Sequence, residues 1–178
     1  MKRHLKQICL MALVCLEAVF LSCSGKKAET NQVTASSTKS NVLPEWALGG
    51  FVRPEGVNPI IQPRPESKFN CPMRKEPVGW EESDTFNPAA TLKGDTICVL
   101  YRAEDNSAKG IGMRTSRIGL AESTDGITMV RRDKPVMYPA EDNAKEFEWP
   151  GGCEDPRVAM TEDGLYVMLY TAWNRDVP

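Results

Sequence analysis

Two short segments carry most of the polar residues able to do chemistry. One is Thr85-Phe86-Asn87-Pro88-Ala89-Ala90, with Arg102 following fifteen residues after the asparagine. The other is Gly151-Gly152-Cys153-Glu154-Asp155-Pro156-Arg157. A carboxylate such as Asp155, fixed by the following proline and placed near arginines, can serve as an acid or as a hydrogen-bond anchor for a polyol. Asn87, Arg102 and Arg117 are the companion donors, since guanidinium forks bind hydroxyls and carboxylates in fixed geometry. Each also has a plainer reading. Asn-Pro and Asp-Pro start turns and cap strand ends, and Arg102 and Arg117 can simply pair with Glu104 or Asp105. Trp80, Trp149 and Trp173 are candidates for stacking on sugar rings. Of these, Trp173 continues an apolar strand and reads as core, whereas Trp149 precedes a Pro-Gly-Gly turn and reads as exposed.

Much other chemistry is excluded. The chain has 178 residues and one histidine, His4, which lies in a basic N-terminal run. If that run is a cleaved signal, the mature protein has no imidazole, so Ser/His/Asp triads, Cys/His dyads and His-ligated zinc sites drop out. No CxxC spacing occurs, no metal site is expected, and no cofactor is implied. Cys71, Cys98 and Cys153 permit at most one disulfide. Cys98, inside Ile97-Cys98-Val99-Leu100-Tyr101, reads as a small packed hydrophobe.

The elements that must position these residues follow from a repeat. Phe86 to Asp105 aligns with Glu154 to Asn174, so that Asn87-Pro88 matches Asp155-Pro156 at an offset of 68 residues and, with one extra residue in the second turn, Leu100-Tyr101 matches Leu169-Tyr170. Each unit reads as strand, turn and strand, with the turns at Lys93-Gly94-Asp95 and Glu162-Asp163-Gly164. Between them, Arg117 to Ser123, Asp125-Gly126 and Ile127 to Arg131 read as a second hairpin. Four strands per unit, then the same pattern again, predict all-β blades of a β-propeller. The alternative is a β-sandwich of about eight strands. The runs TICVLY and LYVMLY are apolar on both faces, as middle strands packed between blades should be. The sequence stops two strands into its second unit, which reads as an N-terminal part of about two blades.

Lys2, Arg3, His4 and Lys6 precede an apolar stretch from Ile8 to Leu21, too short to span a bilayer and shaped like a secretory signal. Phe20-Leu21-Ser22-Cys23 resembles a lipobox, which makes Cys23 the expected lipidation site; the alternative is an ordinary signal with an incidental cysteine. Residues 1–22 are therefore expected to be removed, residues 23–43 to form a lipid-anchored tether, and residues 44–178 to belong to the propeller. Folded sequence is expected to begin between Pro44 and Phe51. The implied location is an outer-membrane lipoprotein, with the periplasmic side slightly favoured over the cell surface. Removing residues 1–22 takes the formal charge from −2 to −4. Dispersed acidic charge of that size argues against a nucleic-acid partner.

At TFNPAA, VLYRAED, TSRIGLAESTDGI, EWPGGCEDPRVA and YVMLYTAWNR the sequence resembles glycoside hydrolase family 130, the inverting mannoside phosphorylases and β-mannosidases. The likeness covers Pro44 to Pro178. It implies a five-bladed propeller in the full-length protein, for which five units of this size need about 340 residues. It also implies that Asp155 is the catalytic carboxylate, delivering its proton through the mannose 3-hydroxyl in the phosphorylases. Asn87 and Arg102 would bind mannose in the −1 subsite, as would Arg117 at a matching position. The lead PEWALGGFVRPEGVNPIIQP and the spacing WEESDTFNPAA resemble the lipoprotein β-1,2-mannosidase branch, which implies hydrolysis of β-1,2-linked manno-oligosaccharides. A phosphorylase using inorganic phosphate as co-substrate is the alternative, and a non-catalytic glycan-binding propeller is a third reading. Oligomeric state is not implied.

Overall fold

The computed structural model describes residues 43–176. The expected signal peptide, the Cys23 lipidation site and all of the tether but Leu43 lie outside the described residues. The chain divides into two units, Met1–Gly49 and Gly50–Pro178. Of the first, residues 43–49 are described: the Ala47 amide closes a turn on the Pro44 carbonyl at 2.8 Å, and Trp46 and Leu48 are exposed. In the second unit the first strand begins only at Phe69, and Phe51 is 90% exposed.

Eight strands and one helical turn follow. They are β1 (Phe69–Cys71), β2 (Glu76–Val78), β3 (Asp84–Lys93), β4 (Thr96–Glu104), β5 (Ser116–Ser123) and β6 (Val130–Arg131), then α1 (Lys145–Glu148), β7 (Gly152–Met160) and β8 (Tyr166–Trp173). The second unit is thus all-β apart from α1. Strands β3, β4, β5 and β6 form an antiparallel meander, and β7 and β8 form a further antiparallel hairpin. The two join through one parallel step, Ser116 opposite Gly152. The hairpins expected at Lys93-Gly94-Asp95, Asp125-Gly126 and Asp163-Gly164 are all present, with Gly94, Gly126 and Gly164 at positive φ.

Period-two alternation sorts β4 into two faces. Val99, Tyr101 and Ala103 point into a core shared with Phe69, Cys71, Val78, Trp80 and Ala121. Trp80 stacks on Tyr101 with ring centroids 6.3 Å apart, and the Tyr101 hydroxyl donates to buried Glu81 Oε2 at 2.8 Å. Arg64 and Arg131 complete the partners of that carboxylate, so the charge enters the core compensated. Cys71, Cys98 and Cys153 are free and buried. Strand β4 is mostly buried, as TICVLY predicts. Strand β8 is not: it lies at the end of the sheet order, and Val167 and Leu169 are exposed.

Candidate active site

Both halves of the repeat break their ladders at the same place. In β3 the register jumps between Phe86 and Ala89, so Asn87 and Pro88 oppose a single residue; in β7 it jumps between Glu154 and Arg157, leaving Asp155 and Pro156 in the same relation. Asn87 has φ 45° and Asp155 φ 48°, both left-handed. Asn and Asp are the side-chain-bearing residues that tolerate this region best. A bulge with its first residue left-handed bends the strand and re-aims a side chain. Here the two bulges aim Asn87 and Asp155 at one another, and Asn87 Nδ2 donates to Asp155 Oδ1 at 2.9 Å.

Arg102 completes the group. It lies opposite Phe86 in the β3–β4 register, and its guanidinium carbon sits 4.6 Å from the centroid of that ring. Nη1 donates to Asp155 Oδ1 at 3.2 Å, Nε to Ser116 Oγ at 3.0 Å, and Nη2 reaches Glu104 Oε1 at 2.7 Å and Glu154 Oε1 at 2.8 Å. Three nitrogens thus span β4, β5 and β7. The fork shape of Arg permits this, and a lysine ammonium could not reproduce it. Behind Glu104, Arg114 lies 3.7 Å from Oε2 and also pairs with Asp84.

The electrostatics separate the neighbours Glu154 and Asp155. Partial burial works to raise the Asp155 carboxyl, but the hydrogen bonds from Asn87 and Arg102 and the charges of Arg102 and Arg157 outweigh it and hold the group below the usual carboxylate value. Glu154 is shifted the other way: burial pushes it up, Asp155 and Glu104 reinforce that, and Arg102 and Ser116 compensate only in part. Beside Asp155 a depression of about 260 Å³ is lined by Arg157, Leu169, Tyr170 and Thr171. It offers a carboxylate, a guanidinium and hydroxyls within one concavity, a set suited to a polyol.

The sequence-derived residues divide cleanly. Asn87, Arg102 and Asp155 are brought together. Arg117 is not: it is fully buried, pairs with Asp105 Oδ2 at 3.0 Å, reaches Cys71 Sγ at 3.5 Å and stacks over Phe69 at 5.2 Å. Its neighbour Ser116 faces Arg102, so alternation sends Arg117 to the opposite face of β5, into the core. Arg117 therefore stands apart from the Asn87, Arg102 and Asp155 group, as a core ion-pair partner of Asp105. Trp80 is also withdrawn as a stacking platform, since it is fully buried and its indole N–H donates to the Asp133 carbonyl at 3.2 Å. Trp149 and Trp173 are both half-buried, so neither the exposure expected of the one nor the core burial expected of the other is complete. Sequence reasoning missed Ser116, Arg114 and Asp84. Ser116 is brought in by strand register, since it pairs with Glu104, which lies two residues from Arg102 on the same face of β4.

Residues 54–177 match the family model described as beta-1,4-mannooligosaccharide phosphorylase. A 1,2-beta-oligomannan phosphorylase of Thermoanaerobacter sp. (strain X514) is 34% identical over 116 residues, which cover 65% of this chain and 33% of that protein. One solved structure represents the GH130 family of mannoside phosphorylases and its glycoside hydrolases that target beta-1,2 mannosidic linkages in Candida mannan. It is 62% identical with a TM-score of 0.73, over 78% of this chain and 38% of that one. A glycosyl hydrolase from Bacteroides ovatus gives the same identity and TM-score over 76% and 38%. The chain thus spans about a third of the length of the curated relative and somewhat more of the solved structures. With the greater part of its length matched to the family model, the chain belongs to glycoside hydrolase family 130.

Proposed function

We propose that the full-length protein cleaves β-1,2-linked manno-oligosaccharides, with Asp155 as the proton donor at the scissile bond and Asn87 and Arg102 holding the terminal mannose. The observation that carries this is the convergence of Asn87 Nδ2 and Arg102 Nη1 on one oxygen of Asp155. The same two donors that keep Asp155 ionised are the ones assigned to the sugar. When mannose hydroxyls engage Asn87 and Arg102 and displace water, Asp155 loses hydrogen bonds that favour its charged form, and its proton affinity rises. It then takes up a proton and passes it, through the mannose 3-hydroxyl, to the departing glycosidic oxygen. In the full-length protein these residues would line the funnel of a five-bladed propeller.

The acceptor at the anomeric carbon distinguishes two readings. Phosphate is favoured by the family description and by the names of the curated relatives, both phosphorylases. Its oxygen would displace the leaving sugar and yield mannose 1-phosphate. Water is favoured by the solved structures at 62% identity, which are described in terms of hydrolases. Hydrolysis needs a second carboxylate as base, roughly 6.5–9.5 Å from the acid. The test is incubation of the full-length protein with β-1,2-mannobiose, with and without inorganic phosphate. Mannose 1-phosphate formed only with phosphate establishes phosphorolysis, and free mannose in both establishes hydrolysis. Glycan binding with no product in either case refutes the enzymatic reading and leaves a binding propeller. We further propose that Cys23 carries the lipid anchor of an outer-membrane protein, which Cys23→Ser should abolish in a palmitate-labelling experiment.

A further inference from the structure

Ser116 Oγ sits at a junction that full ionisation of its neighbours does not satisfy. It accepts from Arg102 Nε at 3.0 Å and lies 3.1 Å from Glu154 Oε1 and 3.3 Å from Glu104 Oε1. A serine hydroxyl has one hydrogen and two lone pairs. It can donate to one carboxylate only, so the other contact is a hydrogen bond only when that carboxyl brings its own proton. The charge count points the same way. Asp84, Glu104, Glu154 and Asp155 face Arg102 and Arg114, with Arg157 acting on Asp155, which leaves one surplus negative charge if all are ionised. Glu104 is fully buried, and its Oε2 has no hydrogen-bond partner. A buried site with surplus negative charge reduces it most cheaply by retaining a proton.

The partners decide which acid retains it. Glu104 Oε1 already accepts from the Gly112 amide at 3.2 Å as well as from Arg102, and Arg114 stands behind Oε2. Glu154 has only Arg102 and Ser116, and the next residue is ionised Asp155. We propose that Glu154 carries a proton at neutral pH and donates it to Ser116 Oγ, which donates onward to Glu104, so that the Arg102 fork stays fixed with Nη1 on Asp155. The raised proton affinity of Glu154, caused first by burial, is consistent with this. Glu154 is thereby a positioning residue. Its importance for turnover rests on the mannoside-cleaving reading, whereas its protonation does not.

Two measurements on the full-length protein test this separately. In infrared difference spectra of wild type against Glu154→Gln at pH 7, the carbonyl band of a buried protonated carboxyl should be present in wild type and lost in the variant; no such band overturns the proposal. In kinetics with β-1,2-mannobiose and phosphate, wild-type kcat/KM should fall as pH rises through the deprotonation of Glu154, because the new charge competes with Asp155 for Arg102. Glu154→Gln is a neutral isostere that can still donate to Ser116. It should lose that alkaline limb and stay within about threefold of wild type at pH 7. Glu154→Ala, which lets the fork drift, should fall by about 10²-fold. A glutamine variant as impaired as the alanine variant, or an unchanged alkaline limb, overturns the positioning role. If no mannoside is turned over under any condition, the functional reading fails while the infrared band still decides the proton.

Discussion

Replacing Arg102 with methionine should unfold the protein more easily by an amount that can be set from its partners. The side chain is 5% exposed and bonded to Ser116, Asp155, Glu104 and Glu154, all within 3.2 Å. Methionine keeps much of the length but no donor, and leaves fully buried Glu104 with only Gly112, Ser116 and distant Arg114. Removing one member of a buried ion pair costs about 3–5 kcal/mol, chiefly through the charge left behind. The lost stacking on Phe86 adds at most about 1 kcal/mol. Against a total stability on the order of 5–15 kcal/mol this is a large fraction. Because the cost is that of an abandoned charge, Glu104→Gln in the Arg102→Met background should restore part of it. The expected coupling between the two sites is about 1–3 kcal/mol. Guanidinium unfolding of the full-length protein, wild type, two single variants and the double variant, measures each term through tryptophan fluorescence. A loss below about 1 kcal/mol for Arg102→Met would place this arginine in the class of exposed ion pairs. Strict additivity in the cycle would refute the buried-charge argument.

Further expectations concern the residues around that arginine. Asn87→Gly keeps the left-handed backbone while deleting the amide, so the titration midpoint of Asp155, followed by carbon-13 NMR of its carboxyl, should rise; an unmoved midpoint means the 2.9 Å hydrogen bond does not hold the carboxylate. Gly152→Ala should prevent stable folding or cost more than about 3 kcal/mol, because Gly152 has φ 119° and an added Cβ falls on the Ser116 backbone at the single β5–β7 junction. Arg117→Met should cost about 3–5 kcal/mol by abandoning buried Asp105; a KM raised many-fold at intact stability would instead support a sugar-contacting role. For Asp105, burial works to raise the carboxyl, but Arg117 and Ser107 prevail and lower it. Its contribution to stability is therefore complete above the ordinary carboxylate pKa and lost as pH falls through the folded value. Arg117→Met should remove that acid-side loss from a denaturation-versus-pH profile.

The sequence was most legible where a rule of spacing applied. The Asn87-Pro88 and Asp155-Pro156 repeat marked two equivalent positions, while the bulges and left-handed backbone found there were not expected from it. Glycine turns and the apolar run of β4 were legible as local patterns. Arg117 shows where such reading stops. Nothing in TSRIGLAES says which of Ser116 and Arg117 faces the polar cluster; the answer depends on register against β4, and a one-residue shift exchanges the two faces. The residues from Pro44 to Phe51 show a different limit. Apolar side chains raise the expectation of burial, but burial needs a partner surface, and Phe51 is 90% exposed. Ser116, Arg114 and Asp84 were invisible because their importance is purely tertiary: each matters through Arg102 or Glu104, from a different strand or loop.

The repeat also explains why the cluster is asymmetric although the backbone around it is not. Phe86 and Glu154 hold equivalent positions before the two bulged residues, and Arg102 corresponds to Thr171, since each pairs in register with that preceding residue. The single guanidinium therefore serves both units, lying over the Phe86 ring on one side and against Glu154 on the other. Asparagine in one bulge and aspartate in the other make a donor–acceptor pair. Two aspartates there would repel across a hydrogen-bond distance, and two asparagines would leave Arg102 Nη1 without its carboxylate. Neither repeat alone contains the site: the carboxylate comes from the second, and every donor to its Oδ1 comes from the first. The proton affinity of Asp155 is thus a property of the junction, and any change that shifts β7 against β3 and β4 must act on it, and on sugar binding too under the proposed function.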